Sequence, residues 1–473
     1  MRLKFTLLTV LAFTAVAAIG QVWEKPIVPG VTYRMEVDLS VPRIVHAVRY
    51  SMGASGVAMK SELGGGTIIE ENASKGRETV SEMAARTGAI VAVNGDFFPF
   101  TGDPLGFMVR DGQLLSSPGK GRSVFGWGGD YARAGQVEFK ATAQLAGQIL
   151  EIDGVNEEAG QNSAILYTDI ANFSTAKTPN IQAVIKMEST SWTPNGEMTG
   201  TFEALYTDVA KMPIQPGNAI LSVSGPRANL VRSLIPGERV TIRFESKGLD
   251  WNKVDQIMGG GPYLLRDGKV SVDAARQGFN DAFTNKRHPR TAIGRTSNGD
   301  VWLVVIDGRQ KMSDGATLPE TAVIMQRLGC VEAVNLDGGG SSAINILGLT
   351  LNRPSDGKER PVANGVVVLG TRPTAAGGNL LIKAPAKMVL DAANTLAVVD
   401  DAGNSIPNAE VLWHATGNAW IDQGGLLRPV GKGSAQVAAY VRGRVLRINL
   451  DIVEPEKKPR VAPKPSRKKR GRG

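Results

Sequence analysis

Residues 334–342 read Val334-Asn335-Leu336-Asp337-Gly338-Gly339-Gly340-Ser341-Ser342, and they end an apolar run that begins at Cys330. Glycine within a regular element costs roughly 0.5–1 kcal/mol relative to alanine, so three in a row imply a special backbone geometry or a closely approaching ligand. An amide, a carboxylate and two hydroxyls surround these glycines at a strand end, where a rigid framework can hold groups for a small polar substrate. A glycine-rich turn with a solvated aspartate is the alternative interpretation.

A second segment shows the same order of features. The two matching strings are Glu78-Thr79-x-x-x-Met83, Gly88, Ala92-Val93-Asn94-Gly95-Asp96 and Glu320-Thr321-x-x-x-Met325, Gly329, Ala333-Val334-Asn335-Leu336-Asp337. Glycine after a helical run is a common helix stop. We interpret the strings as one helix–strand unit used twice, with chance similarity as the alternative. If the unit is repeated, both Asn-x-Asp ends should face one cleft.

The two ends of the chain differ in composition from its body. Arg2 and Lys4 precede an uncharged apolar run to Ala18, which predicts a signal peptide over residues 1–20 and a secreted or periplasmic, cell-envelope protein. That run is too short for a transmembrane helix, and no later segment supplies a span. Residues 454–473 are rich in Pro, Lys and Arg and predict a disordered tail. The tail is expected either to contact an anionic envelope polymer or to be a plain solvated extension.

The net charge of +9 is concentrated at these ends. Nine of the 54 lysines and arginines lie in residues 457–473 and two lie in the signal, which leaves 43 basic against 45 acidic residues between 21 and 456. A body with that balance lacks the basic surface that nucleic acid requires, so no nucleic-acid partner is expected. The single cysteine, Cys330, excludes an intramolecular disulfide framework and is expected to be a small buried hydrophobe.

The order of apolar runs and turn signals predicts an α+β protein in five segments. The main domain is expected to have a mixed sheet and a β-rich middle segment at 131–255, and residues 380–453 weakly resemble bacterial immunoglobulin-like repeats in the spacing of their short strands. The predicted segments are a signal peptide 1–20, the main domain 21–371, a linker 372–379, a β-sandwich 380–453 and a disordered basic tail 454–473.

Two common hydrolase types do not fit the sequence. The three histidines, His46, His288 and His414, are scattered and form no zinc motif. Oxygen ligands around Asp96 and Asp337 leave a calcium or magnesium site open, so we expect no cofactor, with a divalent cation as the alternative. Residues 339–343 come near the G-x-S-x-G elbow of serine hydrolases, but that elbow needs a helix directly after the serine, and the following residues are β-like.

Several polar clusters remain, each at a strand end or in a tight loop. They are Asn94-Gly95-Asp96-Phe97-Phe98, Gly259-Gly260-Gly261-Pro262, His288-Pro289-Arg290-Thr291-Ala292, Asp307-Gly308-Arg309, residues 334–342 and Arg360-Pro361-Val362-Ala363-Asn364. In this order they make residues 28–371 resemble the phosphodiester glycosidase family. The resemblance implies a hydrolase that cleaves a sugar-1-phosphodiester in a bacterial envelope or extracellular glycan, releasing free sugar and a phosphomonoester. A non-catalytic glycan-binding protein and a phosphodiesterase that cuts the P–O bond are the alternatives.

Cleavage of such a linkage develops positive charge on the sugar and negative charge on the phosphate, which calls for carboxylates and arginines. We expect Asp337 at the anomeric centre, with Asp96 or Asp307 as its partner and His288 as a further acid or base. Arginines are the candidate phosphate ligands, of which at least one should be structural: Arg290, Arg309 and Arg360. Sugar contacts or backbone supports, including a main-chain anion nest, are expected from Asn94, Asn335, Asn364, Thr291, Gly338, Gly339, Gly340, Ser341 and Ser342.

Overall fold

The computed structural model describes residues 20–99, 101–118, 121–375, 377–385 and 387–455. The predicted signal peptide 1–20 except Gly20, and the predicted basic tail 454–473 except Glu454 and Pro455, lie outside the described residues. Contacts between Cα atoms divide the described residues into two compact units, one that ends at residue 375 and includes 440–444 and one made of residues 377–439 with 445–455. The candidate site lies entirely in the first unit.

Helices in the described part are short. The α-helices are α1 (Val80–Thr87), α2 (Ala228–Arg232), α3 (Asp281–Asn285) and α4 (Leu318–Arg327). Single 3₁₀ turns occur at Gly64–Gly66, Asp169–Ala171, Gly225–Arg227, Ala275–Gln277, Gly339–Ser341 and Asn408–Glu410. No helix within the described ranges is both long enough and apolar enough to cross a membrane.

The helices α1 and α4 begin in the same way. In each, a threonine side chain accepts the amide of a glutamate three residues later and that glutamate accepts the threonine amide, Thr79 with Glu82 and Thr317 with Glu320. The two equivalent starting positions are therefore Thr79 and Thr317. The sequence alignment that matched Thr79 with Thr321 was wrong, because Thr321 lies one turn inside α4.

The first sheet is antiparallel throughout. Its eight strands lie in the order Gln21–Val28, Val31–Asp38, Arg43–Tyr50, Val301–Ile306, Arg290–Thr296, Cys330–Asn335, Tyr263–Arg266 and Lys269–Val270. The apolar side of α4 covers one face through Leu318, Ala322 and Met325. That packing fixes the strand that leads to Asp337.

A five-stranded antiparallel sheet carries the other Asn-x-Asp segment. Its strands lie in the order Leu349–Thr350, Ile344–Ile346, Val91–Asn94, Asn364–Gly370 and Val57–Leu63. The buried residues Val80, Met83 and Ala84 of α1 pack against it. Each copy of the helix–strand unit therefore belongs to a different sheet.

Two further sheets complete the first unit. One has the strands Gln113–Ser116, Met108–Arg110, Gln256–Gly259, Ser123–Gly128 and Tyr131–Gln136. The other, formed by the predicted β-rich segment, has the strands Gln148–Ile152, Glu138–Leu145, Arg239–Lys247, Gly196–Pro213, Phe173–Met187, Asn218–Val223, Ala164–Tyr167 and Gly154–Val155. A large apolar core that includes Phe202, Phe244 and Leu166 lies against this last sheet.

The structure is richer in strands than an ordinary α+β domain, with 50% strand and 11% helix. The predicted mixed sheet occurs in the β-rich segment and not at the site. Both sheets that carry the Asn-x-Asp segments are antiparallel, and the parallel pairing described in the first unit is the short one of Gly154–Val155 with 165–166. The physical reason is that short turns join many neighbouring strands, and antiparallel pairs need no helical crossover.

The second unit consists of short strands. They form the groups Leu380–Lys383 with Ala397–Asp400; Met388–Val389, Arg444–Val453, Gly433–Val441 and Val411–Gly417; and Asn394–Thr395, Leu426–Pro429 and Ala419–Ile421. Trp413 is buried among them and donates from Nε1 to Asn408 Oδ1 at 2.6 Å. The linker, the immunoglobulin-like type and the predicted boundaries stay predictions.

Candidate active site

The ends of two strands from different sheets meet at the candidate site. Asn94 closes the strand Val91–Asn94, and its Nδ2 donates to the main-chain carbonyl of Asp337 at 2.7 Å. The amide of Asp337 donates in return to the carbonyl of Gly95 at 2.9 Å. The structure thus brings the two Asn-x-Asp segments together, as the repeated unit predicted.

Asp337 is partly exposed, although protein atoms surround most of its carboxyl group. Its Oδ1 accepts the amide of Gly338 at 2.9 Å. Desolvation raises the pKa of Asp337 to about 6, with a small further increase from the charge of Asp96, while hydrogen bonds from Ser341 and Gly338 and the charge of Arg360 oppose the shift. The carboxyl group is therefore ionised at neutral pH but binds a proton in mildly acidic solution.

Asp96 is 1% exposed. It follows the strand that ends at Asn94, whereas Asp337 follows the strand that ends at Asn335. Asp96 Oδ1 accepts the amide of Phe97 at 2.8 Å, and Arg122 Nη2 is 3.9 Å from the same oxygen. Oδ2 makes no hydrogen bond of normal geometry. The amide of Gly106 is nevertheless near enough to the carboxyl group to favour the charged form of Asp96. Burial outweighs these effects and raises the pKa of Asp96, which favours a protonated carboxyl group.

Glycines make room for the Asp96 carboxyl group. A Cβ on Gly106 or on Gly259 would overlap Asp96 Oδ2, and the Cβ of Gly259 would also lie 2.8 Å from the Cα of Gly106. The next residue, Gly260, has no space either, since a Cβ there would lie 2.6 Å from the carbonyl oxygen of Asn335. The Gly-Gly-Gly-Pro motif thus packs directly against both Asn-x-Asp segments.

Asp307 was the other candidate partner of Asp337, and the structure directs its carboxyl group elsewhere. It is 1% exposed, its Oδ1 accepts the amide of Arg353 at 2.9 Å, and its Oδ2 lies 3.5 Å from His46 Nε2. His46 Nδ1 in turn shares a hydrogen bond of 2.7 Å with the hydroxyl of Tyr33. Because both oxygens already face His46 or the loop at Arg353, Asp96 is the better partner for Asp337.

His288 and Arg309 form a pair near the surface. Arg309 Nη2 lies 3.2 Å from His288 Nδ1. Burial and the charges of Arg290 and Arg309 lower the pKa of His288, so that the imidazole is neutral at pH 7. Arg309 is exposed and has a φ of 59°, a conformation that is uncommon for a residue with a side chain and often marks functional loops.

Arg360 joins two loops of the site. Its Nε and Nη2 donate to Asp356 Oδ2 at 3.0 and 2.6 Å, and its Nη1 donates to Ser341 Oγ at 3.4 Å. A Cβ on Gly340 would overlap the groups that form this ion pair. Gly340 is therefore a glycine because the Arg360 guanidinium lies directly on the backbone there.

Arg290 has a structural position. It is 1% exposed, its Nε donates to the carbonyl of Ala316 at 2.8 Å, and its Nη2 donates to the carbonyls of Phe283 at 2.6 Å and Lys286 at 3.0 Å. Burial and the charge of Arg309 lower its pKa to about 10. A guanidinium that is bound to three carbonyls has little capacity left for a phosphate.

The three asparagines hold main-chain groups in place, and all are fully buried. Asn94 Oδ1 accepts from Thr291 Oγ1 at 2.8 Å and from an amide at 3.2 Å. Asn335 Nδ2 donates to the carbonyls of residues 261 and 336, and Asn364 Oδ1 accepts the amide of Asp96 at 2.7 Å. Of the two roles predicted for these asparagines, the geometry favours support of the backbone over contact with sugar hydroxyls.

The glycine loop is mostly committed to internal hydrogen bonds. The amides of Gly338, Gly339 and Ser341 donate to the Asp337 carboxylate, the carbonyl of residue 289 and the carbonyl of Gly338. Ser342 Oγ lies 3.1 Å from the hydroxyl of Thr291, and both residues are buried. The predicted anion nest of the Gly338, Gly339, Gly340 and Ser341 amides is therefore disfavoured, because three of these four amides already have acceptors.

Arg122 is a charged residue at the site that the sequence did not indicate. It lies beside Asp96, with its guanidinium carbon 4.5 Å from the ring centre of Phe97 and 5.2 Å from that of Phe279. The only signal in the sequence is its position after a glycine and directly before the strand Ser123–Gly128. Nothing in that pattern shows that the residue approaches Asp96, which is distant in the chain.

Among the described residues, no group of three or more His, Cys, Asp or Glu side chains could hold a metal ion. A groove of about 660 Å³ passes Lys358, Glu359 and Pro361, next to Arg360. A smaller cavity of about 240 Å³ lies between Arg34 and Arg327, away from Asp96 and Asp337. We place the candidate site at the two aspartates because of the chemistry of their carboxyl groups.

Comparison with known proteins gives the class. Residues 189–369 match the family model described as phosphodiester glycosidase, and the resemblance noted in the sequence is confirmed. Residues 189–369 are therefore similar to the phosphodiester glycosidase family. Asn94 and Asp96 lie outside the matched residues, so their membership of the site rests on the geometry above.

Particular relatives match shorter stretches. The uncharacterised protein YomE of a Bacillus subtilis prophage is 36% identical over 108 residues, which are 23% of this chain and 16% of that protein. The N-acetylglucosamine-1-phosphodiester alpha-N-acetylglucosaminidase of Bos taurus is 30% identical over 114 residues, 22% of this chain and 21% of that enzyme. A crystal structure of a hypothetical protein from Synechocystis superposes with a TM-score of 0.61 at 24% identity, covering 72% of this chain and 62% of that one, and it shares the fold.

Proposed function

We propose that this protein hydrolyses the C1–O bond of a sugar-1-phosphodiester. The observation that carries the proposal is the meeting of the two strand ends that carry Asp96 and Asp337, two carboxyl groups whose pKa values are both raised, beside arginines that suit a phosphate. The match of residues 189–369 to the phosphodiester glycosidase family supports the same reaction. Two carboxyl groups in different environments are the usual equipment for cleaving a glycosidic bond.

The surroundings of the two aspartates assign their roles. Asp337 accepts hydrogen bonds from Ser341 and the amide of Gly338 and lies near Arg360, all of which favour its ionised form. As a carboxylate it stabilises or attacks the anomeric carbon as positive charge develops there. Asp96 has an oxygen without a hydrogen bond and is fully buried, so it holds a proton more tightly than an ordinary aspartic acid. It is the proton donor in this account.

The arginines stabilise the departing phosphate. Arg309 and Arg360 are exposed at the site and can donate to phosphate oxygens as negative charge grows on them. When the C1–O bond breaks, the bond electrons stay on the phosphate oxygen, which takes the proton. Water supplies the hydroxyl group on C1, and its second proton restores the acid. Free sugar and a phosphomonoester leave the site.

We also propose a cellular location and a substrate class for this reaction. The apolar amino-terminal sequence and the basic carboxy-terminal sequence support export and contact with an anionic envelope polymer. Glycans with sugar-1-phosphate linkages in a bacterial envelope or outside the cell are then the substrate class. The printed name of the bovine relative favours N-acetylglucosamine-1-phosphodiesters as the first members to assay.

The test is turnover of a panel of sugar-1-phosphodiesters by the full-length protein, with EDTA and with added Ca²⁺ or Mg²⁺. We expect release of free sugar by the wild type and its loss in Asp337→Asn. The control is Asp130→Asn, which removes an exposed carboxylate in a turn. Saturable glycan binding without turnover, unaffected by Asp337→Asn, would instead establish a binding protein.

A further inference from the structure

The site holds more arginines than the reaction has assigned. Arg290 is bound to three carbonyls, and two of the Arg360 nitrogens are bound to Asp356. Arg309 is exposed at the rim. Arg122 differs from all three, because its side chain is only 14% exposed and lies next to the proposed proton donor Asp96.

The contacts of Arg122 leave its hydrogen-bond donors available. The faces of Phe97 and Phe279 hold the guanidinium by cation–π contacts, which use the plane of the group and not its N–H bonds. The buried Nε has no hydrogen-bond partner. The contact of Nη2 with Asp96 Oδ1 spans 3.9 Å, which is longer than a hydrogen bond.

The aromatic support under Arg122 consists of three rings in mutual contact. Phe279 stacks on Phe283 with ring centres 4.9 Å apart and an angle of 20° between the planes, and Phe97 contacts both rings. Phe283 lies under the buried Arg290, 4.9 Å from its guanidinium carbon. Because the rings pack against the plane of the Arg122 guanidinium, its N–H donors point in one orientation toward an anion that binds there.

We propose that Arg122 binds the phosphate group of the substrate on the Asp96 side of the site. The inference rests on the proposed function and adds to it a phosphate ligand. A phosphate held by Arg122 has its bridging oxygen close to Asp96, which is where the proton must be delivered. A bound anion also neutralises the positive charge of Arg122 near Asp96. The pKa of Asp96 then rises, so the carboxyl group keeps its proton until the bond breaks.

The arrangement gives each carboxyl group its own cation. Arg360 acts on Asp337 and Arg122 acts on Asp96. An arginine fork can bind two phosphate oxygens at once, whereas a lysine presents a single charge centre. Arg122→Lys should therefore keep the charge and the contact with the rings but lose much of the affinity for phosphate.

The experiment is calorimetric titration of the full-length protein with inorganic phosphate and with methyl phosphate. We expect Arg122→Gln to weaken binding roughly 10- to 100-fold, the usual range for a hydrogen bond to a charged group, and Arg122→Lys to weaken it by a smaller factor. The control is Arg232→Gln on α2, an exposed arginine whose Nη1 contacts Asn229. This control should bind phosphate as the wild type does.

The outcomes separate the two proposals. Unchanged phosphate affinity in a folded Arg122→Gln or Arg122→Lys variant overturns the role of Arg122, even if the wild type turns over sugar-1-phosphodiesters. A wild type that binds no phosphate overturns it as well. A wild type that binds phosphate through Arg122 but hydrolyses no sugar-1-phosphodiester supports the inference and contradicts the proposed function.

Discussion

Asn94 Nδ2 donates to the main-chain carbonyl of Asp337 at 2.7 Å and so joins the ends of two strands that belong to different sheets. The same side chain accepts the hydroxyl of Thr291 and the amide of Ala343 through its Oδ1. One buried amide group therefore fixes the position of Asp337 relative to Asp96. The geometry of the proposed pair depends on this link more than on any contact between the carboxyl groups themselves.

Asn94→Ala should reduce both stability and turnover. Loss of three buried hydrogen bonds leaves their partners unsatisfied, and we expect the free energy of unfolding to fall by about 1–3 kcal/mol. The control is Asn345→Ala, which removes a buried amide from the same sheet, where it bonds Thr350 and Gly348. Urea denaturation should show comparable losses of stability, whereas turnover per folded molecule should fall only in Asn94→Ala. Equal turnover in the two variants would contradict the positioning role.

Asp337→Asn should stabilise the protein at pH 8 while it abolishes turnover. The pKa of Asp337 is raised from 3.8 to about 6, so its ionised form is disfavoured in the folded state. The penalty is absent below the unfolded pKa, grows as the pH rises to about 6, and is complete above that value. We expect the asparagine variant to gain about 3 kcal/mol at pH 8. That gain should shrink at pH 4 in denaturant titrations, and a gain independent of pH would contradict the explanation.

The pH dependence of kcat/KM should report the same two groups. Asp337 must be ionised, so activity should rise with pH through about 6. Burial raises the pKa of Asp96. Its proton is needed for the reaction, so activity should be lost at the pH where this carboxyl group ionises. Arg360→Gln removes a charge that lowers the pKa of Asp337, and its rising limb should move to higher pH. A rising limb that stays in place would show that Arg360 does not act on Asp337.

Gly259→Ala should inactivate the enzyme, and it should also lower stability because the added Cβ lies 2.8 Å from the Cα of Gly106. The added Cβ overlaps Asp96 Oδ2, so the carboxyl group must move out of its slot. The control is Gly160→Ala, because nothing lies within 4 Å of a Cβ at that position. We expect turnover to fall by roughly 10²-fold or more in Gly259→Ala, the scale of losing a positioned proton donor. Wild-type turnover in Gly259→Ala would remove Asp96 from the mechanism.

The sequence predicted the parts of the site that follow from local pattern. The glycine run after Asp337 and the repeated Asn-x-Asp strings each encode a strand end, and strand ends are where polar groups converge. The sequence did not indicate Arg122, because its partners Phe97 and Phe279 come from other segments of the chain. An isolated arginine before a strand carries no local signal. Arg290 looked like an anion ligand because sequence shows the charge but not the three carbonyls that take it up.

The sheets show a similar limit. Apolar periodicity located the strands near residues 91 and 330, but the pairing partners depend on contacts across more than 200 residues, such as Asn364 with Leu63. The helix starts illustrate a smaller error of the same kind. Thr317 and Thr321 both precede apolar residues, and only the hydrogen bonds with Glu320 show which of them caps α4.

The most direct test of the central claim is hydrolysis of a sugar-1-phosphodiester in ¹⁸O-labelled water by the full-length protein. Cleavage of the C1–O bond places the label on the anomeric hydroxyl of the released sugar and leaves the phosphomonoester unlabelled, and mass spectrometry of both products should show this result. Label in the phosphomonoester would mean that the P–O bond is cut, and it would contradict the assignment of Asp337 to the anomeric centre.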